Sequence, residues 1–420
     1  MKVFWHLDQP QRRNLLILFA SGLLFWTSLA SLLPTLPLYI EFVGGTKQQI
    51  GVVMGAFAIG LLLCRPRLGQ MADRRSRKLV LLIGAVVAAI APLCYLFVQS
   101  IPLLFAIRAF HGISVAAFTT AYSALVVDLS PVNERGELIG YMSLVAPIGV
   151  ALGPAMGGFL QTTTGYDLLF ICSSLLAIIS YFGVIQIKEH NNQLIRLKGQ
   201  AASIAAANQP FWQILAKPGL FVPSLVLSLV GFAFGAVTTF VALYIVETKI
   251  NLNPGLFYTV AAVASFSSRI FIGRASDIYG RGLFITASIF SYACAVLMLS
   301  QANNPIIFLL AAILEGVGVG TLLPMMVALI SDRSSAAERG RVFAICISGF
   351  DLGVAISAPV FGSLAEAIGY RGIFVVSTAM AILGLIVFIT HGSKNLSHSF
   401  RFAFGREKDL YALKQIGSSH

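Results

Sequence analysis

Four residues whose side chains titrate or stay charged stand alone inside long apolar runs. Arg108 and His111 interrupt 102–127, Glu315 interrupts 305–330, and Asp351 interrupts 342–365. Arg108 and His111 are three positions apart and so share a helix face. Counted from Pro305 and Arg341, each carboxylate falls ten residues into its run, about 15 Å deep at a rise of about 1.5 Å per residue. A charge at that depth of a bilayer costs about 2.5–3.5 kcal/mol on insertion scales and is kept there for use. A low-dielectric surrounding disfavours the charged form of a carboxyl or an imidazole, which suits either group to take up and release a proton. Glu315 and Asp351 are therefore the first proton-coupling candidates and His111 the third. Arg108 stays charged, as a fixed partner or as an anchor for an anionic part of a substrate. The competing structural reading is an ion pair or hydrogen bond inside a bundle.

Such depth requires elements that cross a membrane. Of 420 residues, 57% are apolar and 11% charged, against about 45–50% and 25% in ordinary globular proteins. This excludes a soluble enzyme, a disordered chain and a disulfide scaffold. No Lys, Arg, Asp or Glu occurs in 14–40, 48–64, 79–107, 138–166, 168–187, 218–246, 250–268, 282–314 or 372–393. With the three interrupted runs these predict twelve transmembrane helices, since a run of about 20 residues spans the hydrocarbon and outer-membrane strands are shorter and alternate. If the N-terminus is inside, 25 of the 29 Lys and Arg fall on that side, and only Lys47, Lys249 and Arg371 lie in the opposite loops. Both termini are expected in the cytoplasm, with the chain in the cytoplasmic (inner) membrane. The net charge of +12 is then a topological signal, and no nucleic-acid partner is expected. Arg12 and Arg13 precede an apolar run too long for a cleaved export signal.

The chain repeats itself at an offset of 204 residues. Arg65, Gly69, Asp73 and Arg77 meet Arg269, Gly273, Asp277 and Arg281. Gly112 and Asp128 meet Gly316 and Asp332, and Glu134, Arg135 and Gly136 meet Glu338, Arg339 and Gly340. Gly149, Gly158, Gly165, Tyr166 and Phe170 meet Gly353, Gly362, Gly369, Tyr370 and Phe374. Apolar composition alone would not align charged loop residues. His111 and Glu315 are mates under the same offset, whereas Arg108 has Ala312. The expected organisation is a cytoplasmic N-terminus 1–13, a six-helix bundle 14–187, a linker 188–218, a second bundle 219–391 and a tail 392–420. The tail carries five basic residues and is expected to be loosely ordered.

A parallel duplication of six spans is the symmetry of rocking secondary transporters. The residues carry a family resemblance as well. Gly69-Gln-Met-Ala-Asp73-Arg-Arg-Ser-Arg77-Lys78 resembles the loop signature of the major facilitator superfamily, with a weaker echo from Gly273 to Arg281. Arg108-Ala-Phe-His111-Gly112 resembles its fourth-span motif, and Gly153-Pro154-Ala-Met-Gly157-Gly158 its fifth-span antiporter motif. Ser76 stands where the family usually has glycine, and His111 where it commonly has glutamine. The chain is most similar to the drug and metabolite efflux branch. The resemblance implies two pseudo-symmetric six-helix bundles, alternating access to a site between them, and proton-coupled efflux of an amphipathic compound or metabolite.

It also implies a cytoplasmic latch in which Asp73 approaches the N-terminus of the eleventh helix, where the macrodipole offers about half a positive charge. Arg77, Asp128, Glu134 and Arg135 would steady it, with Gly69, Gly273, Asp277, Arg281, Asp332, Glu338 and Arg339 as the corresponding groups. Positive-inside anchoring explains Arg74, Arg75 and Lys78 equally well. Gly149, Gly153 and Gly157, with Pro154 and Gly158, place small residues on one face and predict a close helix approach. Trp26, Tyr122, Phe232, Phe234 and Tyr244 are candidates to line an amphipathic cavity, with core packing as the alternative. Glu41 and Glu247 fall at outer helix ends, where solvation is the plainer role and an external gate the sharper one.

The five cysteines sit singly, with no ligand or redox spacing. Gly316-Val-Gly-Val-Gly320 lacks the strand and final glycine of a dinucleotide loop, and no P-loop or metal motif occurs. No catalytic activity, cofactor or metal is expected. The expected partners are a small-molecule substrate, protons and the bilayer. Proton-linked uptake of a sugar-like or other polar metabolite is the second reading, and a non-transporting receptor the third.

Overall fold

The computed structural model describes residues 7–131, 134–188, 213, 215–335 and 339–413; for residues 271, 273, 274, 277, 339–341 and 344 it describes the backbone alone. Among these residues the chain is helical throughout, without strands. In order the helices are α1 (Gln9–Phe42), α2 (Lys47–Arg74), α3 (Arg77–Phe97), α4 (Ile101–Leu129), α5 (Arg135–Met142), α6 (Val145–Thr164) and α7 (Tyr166–Gln186). They continue as α8 (Pro218–Glu247), α9 (Pro254–Tyr279), α10 (Arg281–Ser300), α11 (Pro305–Asp332), α12 (Arg339–His391) and α13 (Leu396–Ala403).

Among the described residues, ten segments are long and apolar enough to cross a membrane, α5 and α6 together forming one of them. Helix α12 has 53 residues with Gly369 at φ 69° inside it. At about 1.5 Å per residue it is more than twice a hydrocarbon core of about 30 Å, so it crosses twice with its break at that glycine. Helix α9, 26 residues long, is also long enough to cross at about 1.5 Å per residue and completes twelve transmembrane helices. The duplication is written into the breaks: Gly165 at φ 87° separates α6 from α7, 204 residues before Gly369.

The same offset pairs Ser76 with Gly280, and the two copies solve one turn differently. Ser76 is extended, and its hydroxyl accepts from Leu79 N at 3.0 Å to cap α3. Gly280 enters α10 at φ 89°, a conformation that glycine adopts without a Cβ penalty. A helix-capping serine is thus what stands at the position where the family resemblance leads one to expect glycine.

Cα packing divides the chain into two compact units. The first comprises Met1–Leu197 with Thr238–Ala262 and Ala358–Glu366. Within it α1 packs on α6 and α7, α2 on α4, and α3 on α4 and α7. Small residues permit the closest approaches: Gly60 meets the carbonyl of Ala109 while Gly112 meets that of Phe57 across the α2/α4 seam. Helix α7 is tied in by buried hydroxyls. Ser28 Oγ donates to Ser173 O at 2.7 Å, Ser180 Oγ to Ser21 O at 2.8 Å, and Ser174 Oγ to Ala89 O at 2.7 Å. Phe25 stacks on Phe118 with centroids 3.8 Å apart.

The second unit comprises Lys198–Val237, Val263–Ser357 and Ala367–His420. Here α10 packs along α11, with Gly318 against Tyr292 and Gly320 against Ser265. Ser291 Oγ donates to Leu314 O at 2.8 Å. Helix α8 and the first part of α12 share a glycine seam, Gly231 meeting Phe350 and Gly353 meeting Ser228 and Phe232.

The expected loose tail is corrected by the structure over 392–413. Thr286 Oγ1 donates to Ala403 O at 2.9 Å, Gly282 abuts the carbonyl of Phe402, and Leu413 N donates to Asp332 O at 2.9 Å. The anchor is Arg333, whose side chain is 1% exposed. Its Nε and Nη2 donate to the two oxygens of Asp409 at 2.7 and 3.1 Å, Nη1 to Gly219 O at 2.7 Å, and Nη2 also to Gly392 O at 2.8 Å. A bidentate pair with its remaining donors satisfied is the arrangement in which a buried guanidinium is stable. Basic residues argued for a solvated tail, but one buried Arg with backbone acceptors converts that tail into a strap.

Candidate functional site

The isolated polar residues of the apolar runs are buried. His111 is 1% exposed and Arg108 6%. Both lie on one face of α4, as their spacing predicts, beside the fully buried Tyr95 of α3. Tyr95 Oη and His111 Nδ1 are 3.5 Å apart, and Arg108 lies against the same hydroxyl. Tyr39 Oη fixes this part of α3 by donating to Tyr95 O at 2.9 Å. The Arg108 guanidinium carbon sits 4.4 Å from the ring centroid of Phe57, a cation–π contact from α2. Its Nε is buried with no hydrogen-bond partner, and no carboxylate pairs with Arg108 among the described residues. The cluster therefore holds a positive charge on an aromatic face and leaves a donor unsatisfied, a costly state unless some occupant completes it.

Glu315 is 6% exposed in the middle of α11. It makes no ion pair or hydrogen bond with any described residue. Tyr292 of α10 lies within its electrostatic reach, because Gly318, three positions on, lets α10 come close. Tyr292 Oη is itself buried without a partner. Each of the matched positions 111 and 315 thus has a buried tyrosine next to it. Asp351 is half-buried on α12, beside the seam formed by Gly353 and Phe350 with α8.

Of the aromatic candidates, Trp26 and Tyr122 line one cavity of about 290 Å³, with Phe118, Met142 and Ser143. Tyr122 Oη donates to Met142 O at 3.0 Å. Tyr244 is 2% exposed and Phe232 half-buried on α8; neither lines that cavity. Phe234 packs against Phe350 with centroids 5.5 Å apart. Gly149, Gly153 and Gly157 face α1, meeting Trp26, Thr27 and Ser31, while Gly158 meets Asn253 and Pro154 O meets Gly255.

At the helix ends, Arg77 pairs with Asp128 and Arg281 with Asp332, the latter at 2.8 Å. Arg77 Nη1 also donates to Ala124 O at 2.5 Å. Asp73 is exposed, and Gly69 faces Thr120 at an ordinary 3.8 Å. Glu134 caps α5 through its carbonyl, ahead of Arg135. Glu338 lies outside the described residues, as do the side chains of Asp277 and Arg339 and the surroundings of Gly273.

At the other end of the first unit, Lys47 Nζ binds Glu247 Oε2 at 3.0 Å, and Gln48 N donates to Glu366 Oε1 at 3.2 Å. Thr259 Oγ1 donates to Ala151 O at 2.9 Å. Gly51 and Gly362 meet one another's helices close by. Glu41 borders a cavity of about 620 Å³ there with Tyr166, Asn251 and Asn253. Sequence reasoning singled out Glu247 but missed Lys47 as its partner. It also missed Tyr95, Phe57, Tyr292 and Arg333: aromatic residues are common in apolar runs, and Arg333 looks like one more anchoring charge. The signal for Tyr292 was available in Gly318, a small residue one turn from Glu315.

The sequence model of the Major Facilitator Superfamily matches residues 18–298 and 251–419. Two proteins named Multidrug resistance protein MdtG, from different Escherichia coli strains, are 27% and 26% identical over 393 residues, covering 89% of this chain and 93% of theirs. Among solved structures, the nucleoside transporter NupG superposes with a TM-score of 0.70 at 14% identity, over 91% of this chain and all of that one. A POT family transporter in complex with a thioalcohol-conjugated peptide does so with a TM-score of 0.74 at 13% identity, over 89% and 95%. Twelve membrane-crossing helices, a repeat written in charges and breaks, and a match over nearly the whole chain lead to one conclusion: this protein is a transporter-fold member of the major facilitator superfamily.

Proposed function

We propose that the chain is a secondary active transporter of the cytoplasmic membrane, exporting a small amphipathic molecule by alternating access in exchange for protons. The observation that carries this reading is Glu315, a buried mid-helix carboxylate without an ion-pair or hydrogen-bond partner among the described residues. A structural salt bridge would supply a basic partner, whereas a proton carrier must be able to shed its charge. Arg108 provides a fixed charge for an anionic group, and the cavity at Trp26 and Tyr122 an aromatic wall for the apolar part. One proton crossing 100 mV supplies about 2.3 kcal/mol, or roughly fifty-fold in substrate gradient. The direction is supported by the fifth-span glycines and by relatives named for multidrug resistance.

In this reading residues 14–187 and 219–391 are the two moving bundles, 188–218 links them, and both termini are cytoplasmic. The Arg77–Asp128 and Arg281–Asp332 pairs steady the cytoplasmic latch that includes Asp73, and Lys47–Glu247 belongs to the outer gate. The test is flux in proteoliposomes holding the purified protein, under an imposed pH gradient and a panel of anionic, neutral and cationic amphipathic compounds. Substrate movement that tracks the gradient and runs opposite to protons supports the proposal; binding without gradient-driven movement of any compound overturns it.

A further inference from the structure

Helix α13 begins five residues beyond the end of α12 at His391, so it lies where a membrane span emerges from the bilayer. Its residues divide into three sectors. With Leu396 set at 0° and about 100° per residue, the side chains buried on the bundle, Ser399, Phe402 and Ala403, occupy about 240–340°. Leu396, Phe400 and Phe404 follow at about 0–80°, and Ser397, Arg401 and His398 fill the rest. Leu396 is 66% and Phe400 52% exposed, and the rings of Phe400 and Phe404 touch with centroids 4.7 Å apart. A short helix held on a protein by one face, and carrying an adjacent apolar stripe with a polar, basic sector on its free side, has the composition of a helix lying in a lipid interface.

The charge is asymmetric in the same sense. Lys394, Arg401, Arg406 and Lys408 are exposed. Of the two acidic residues in the strap, Asp409 is occupied by the buried Arg333, and Glu407 is shared between His398 and Arg401 at 2.6 and 2.8 Å. We infer that α13 is an interfacial anchor that seats on an anionic lipid leaflet, with Leu396, Phe400 and Phe404 among the upper acyl chains and the basic residues at the headgroups. The inference rests on the chain crossing the membrane and is independent of what it transports. The occupant follows from position and charge: the stripe starts at the exit of a span, and a surplus of Lys and Arg beside it matches anionic headgroups.

The experiment uses the full-length protein in nanodiscs of phosphatidylcholine with about one third phosphatidylglycerol. Phe400→Trp adds an indole to the exposed stripe without touching the docked face, and its emission is read as the difference from the parent, which has three tryptophans. Acyl-brominated lipid is expected to quench the added emission at least about two-fold, and more strongly when the bromine is on phosphatidylglycerol. Changing Lys394, Arg401, Arg406 and Lys408 together to Gln should equalise the two lipids while leaving the quenching by acyl bromine. Quenching by aqueous iodide but not by brominated lipid overturns the inference, as does a photoreactive group at position 400 that couples to a second copy instead of lipid. Equal quenching by both brominated lipids in the parent background removes the anionic specificity. Hydrogen exchange over 396–404 in each variant shows whether the strap is still docked, so lost docking and lost lipid contact are told apart.

Discussion

Arg281 gives its Nε to Asp332 at 2.8 Å, and 204 residues earlier Arg77 and Asp128 form the same pair. Each joins the start of the third helix of a repeat to the end of the fourth, so one half-buried ion pair fixes the register of two helix ends. Removing Asp128 leaves Arg77, 14% exposed, without its main counter-charge, a loss of about 1–3 kcal/mol. Asp128→Ala should lower the apparent melting temperature in detergent. The swapped pair Arg77→Asp with Asp128→Arg should recover part of it, and a double-mutant cycle would give the coupling. The second pair is more exposed, at 26% and 40%, so Asp332→Ala should have the smaller effect.

Glu315 and Asp351 are separable by experiment. Glu315 is buried without an ionic partner, while Asp351 is half-buried at a helix seam. If Glu315 carries the proton, Glu315→Gln abolishes movement driven by a pH gradient and leaves substrate exchange at equal pH on both sides. Asp351→Asn should then reduce both by a similar factor. Tyr292→Phe removes the hydroxyl beside Glu315 and should shift the pH profile of transport without abolishing it. The three profiles, measured in one proteoliposome preparation, decide which residue is coupled.

The glycines predict opposite signs for one substitution. A Cβ on Gly157 would collide with the backbone of Ser31, and one on Gly153 would lie 2.6 Å from Thr27 O. Gly157→Ala and Gly153→Ala should each destabilise by about 1–3 kcal/mol through overpacking. Gly140 lies inside α5 with nothing within 4 Å of its Cβ, so Gly140→Ala should be neutral or stabilising by up to about 1 kcal/mol. Thermal melts of the three proteins in one detergent would show the ordering.

Much of this architecture is legible in the amino-acid order, and the reasons differ by feature. The spans follow from absent charge, because a membrane punishes each one. The repeat follows from Asp73, Asp128 and their mates, charged residues at helix ends that apolar similarity cannot align. The close face of Gly149, Gly153 and Gly157 follows from helical spacing alone. What stayed hidden are relations between segments far apart in sequence. Nothing near Tyr95 announces that it will meet Arg108 and His111, and nothing near Lys47 names Glu247 as its partner. The docked tail was misread for the same reason, since the acceptors that satisfy Arg333 are Gly219 O and Gly392 O, and backbone carbonyls leave no trace in a sequence.

Arg333 yields the sharpest test of the strap. Its pair with Asp409 is almost wholly buried, at 1% and 10% exposure, and removing one member of a buried pair costs about 3–5 kcal/mol because the other charge is left uncompensated. Asp409→Asn should therefore release residues 392–413 more completely than Arg333→Gln. The first strands a guanidinium among Gly219, Gly392 and Tyr411, while the second leaves a carboxylate free to turn to water. Limited proteolysis at Arg401, Arg406 and Lys408 reads the release directly. The expected order of cleavage rates is Asp409→Asn, then Arg333→Gln, then the parent. In contrast, Lys47–Glu247 is exposed at 29% and 51% and worth about 0.2–1 kcal/mol. Lys47→Ala should barely change melting, which separates a pair that holds the fold from one that does not.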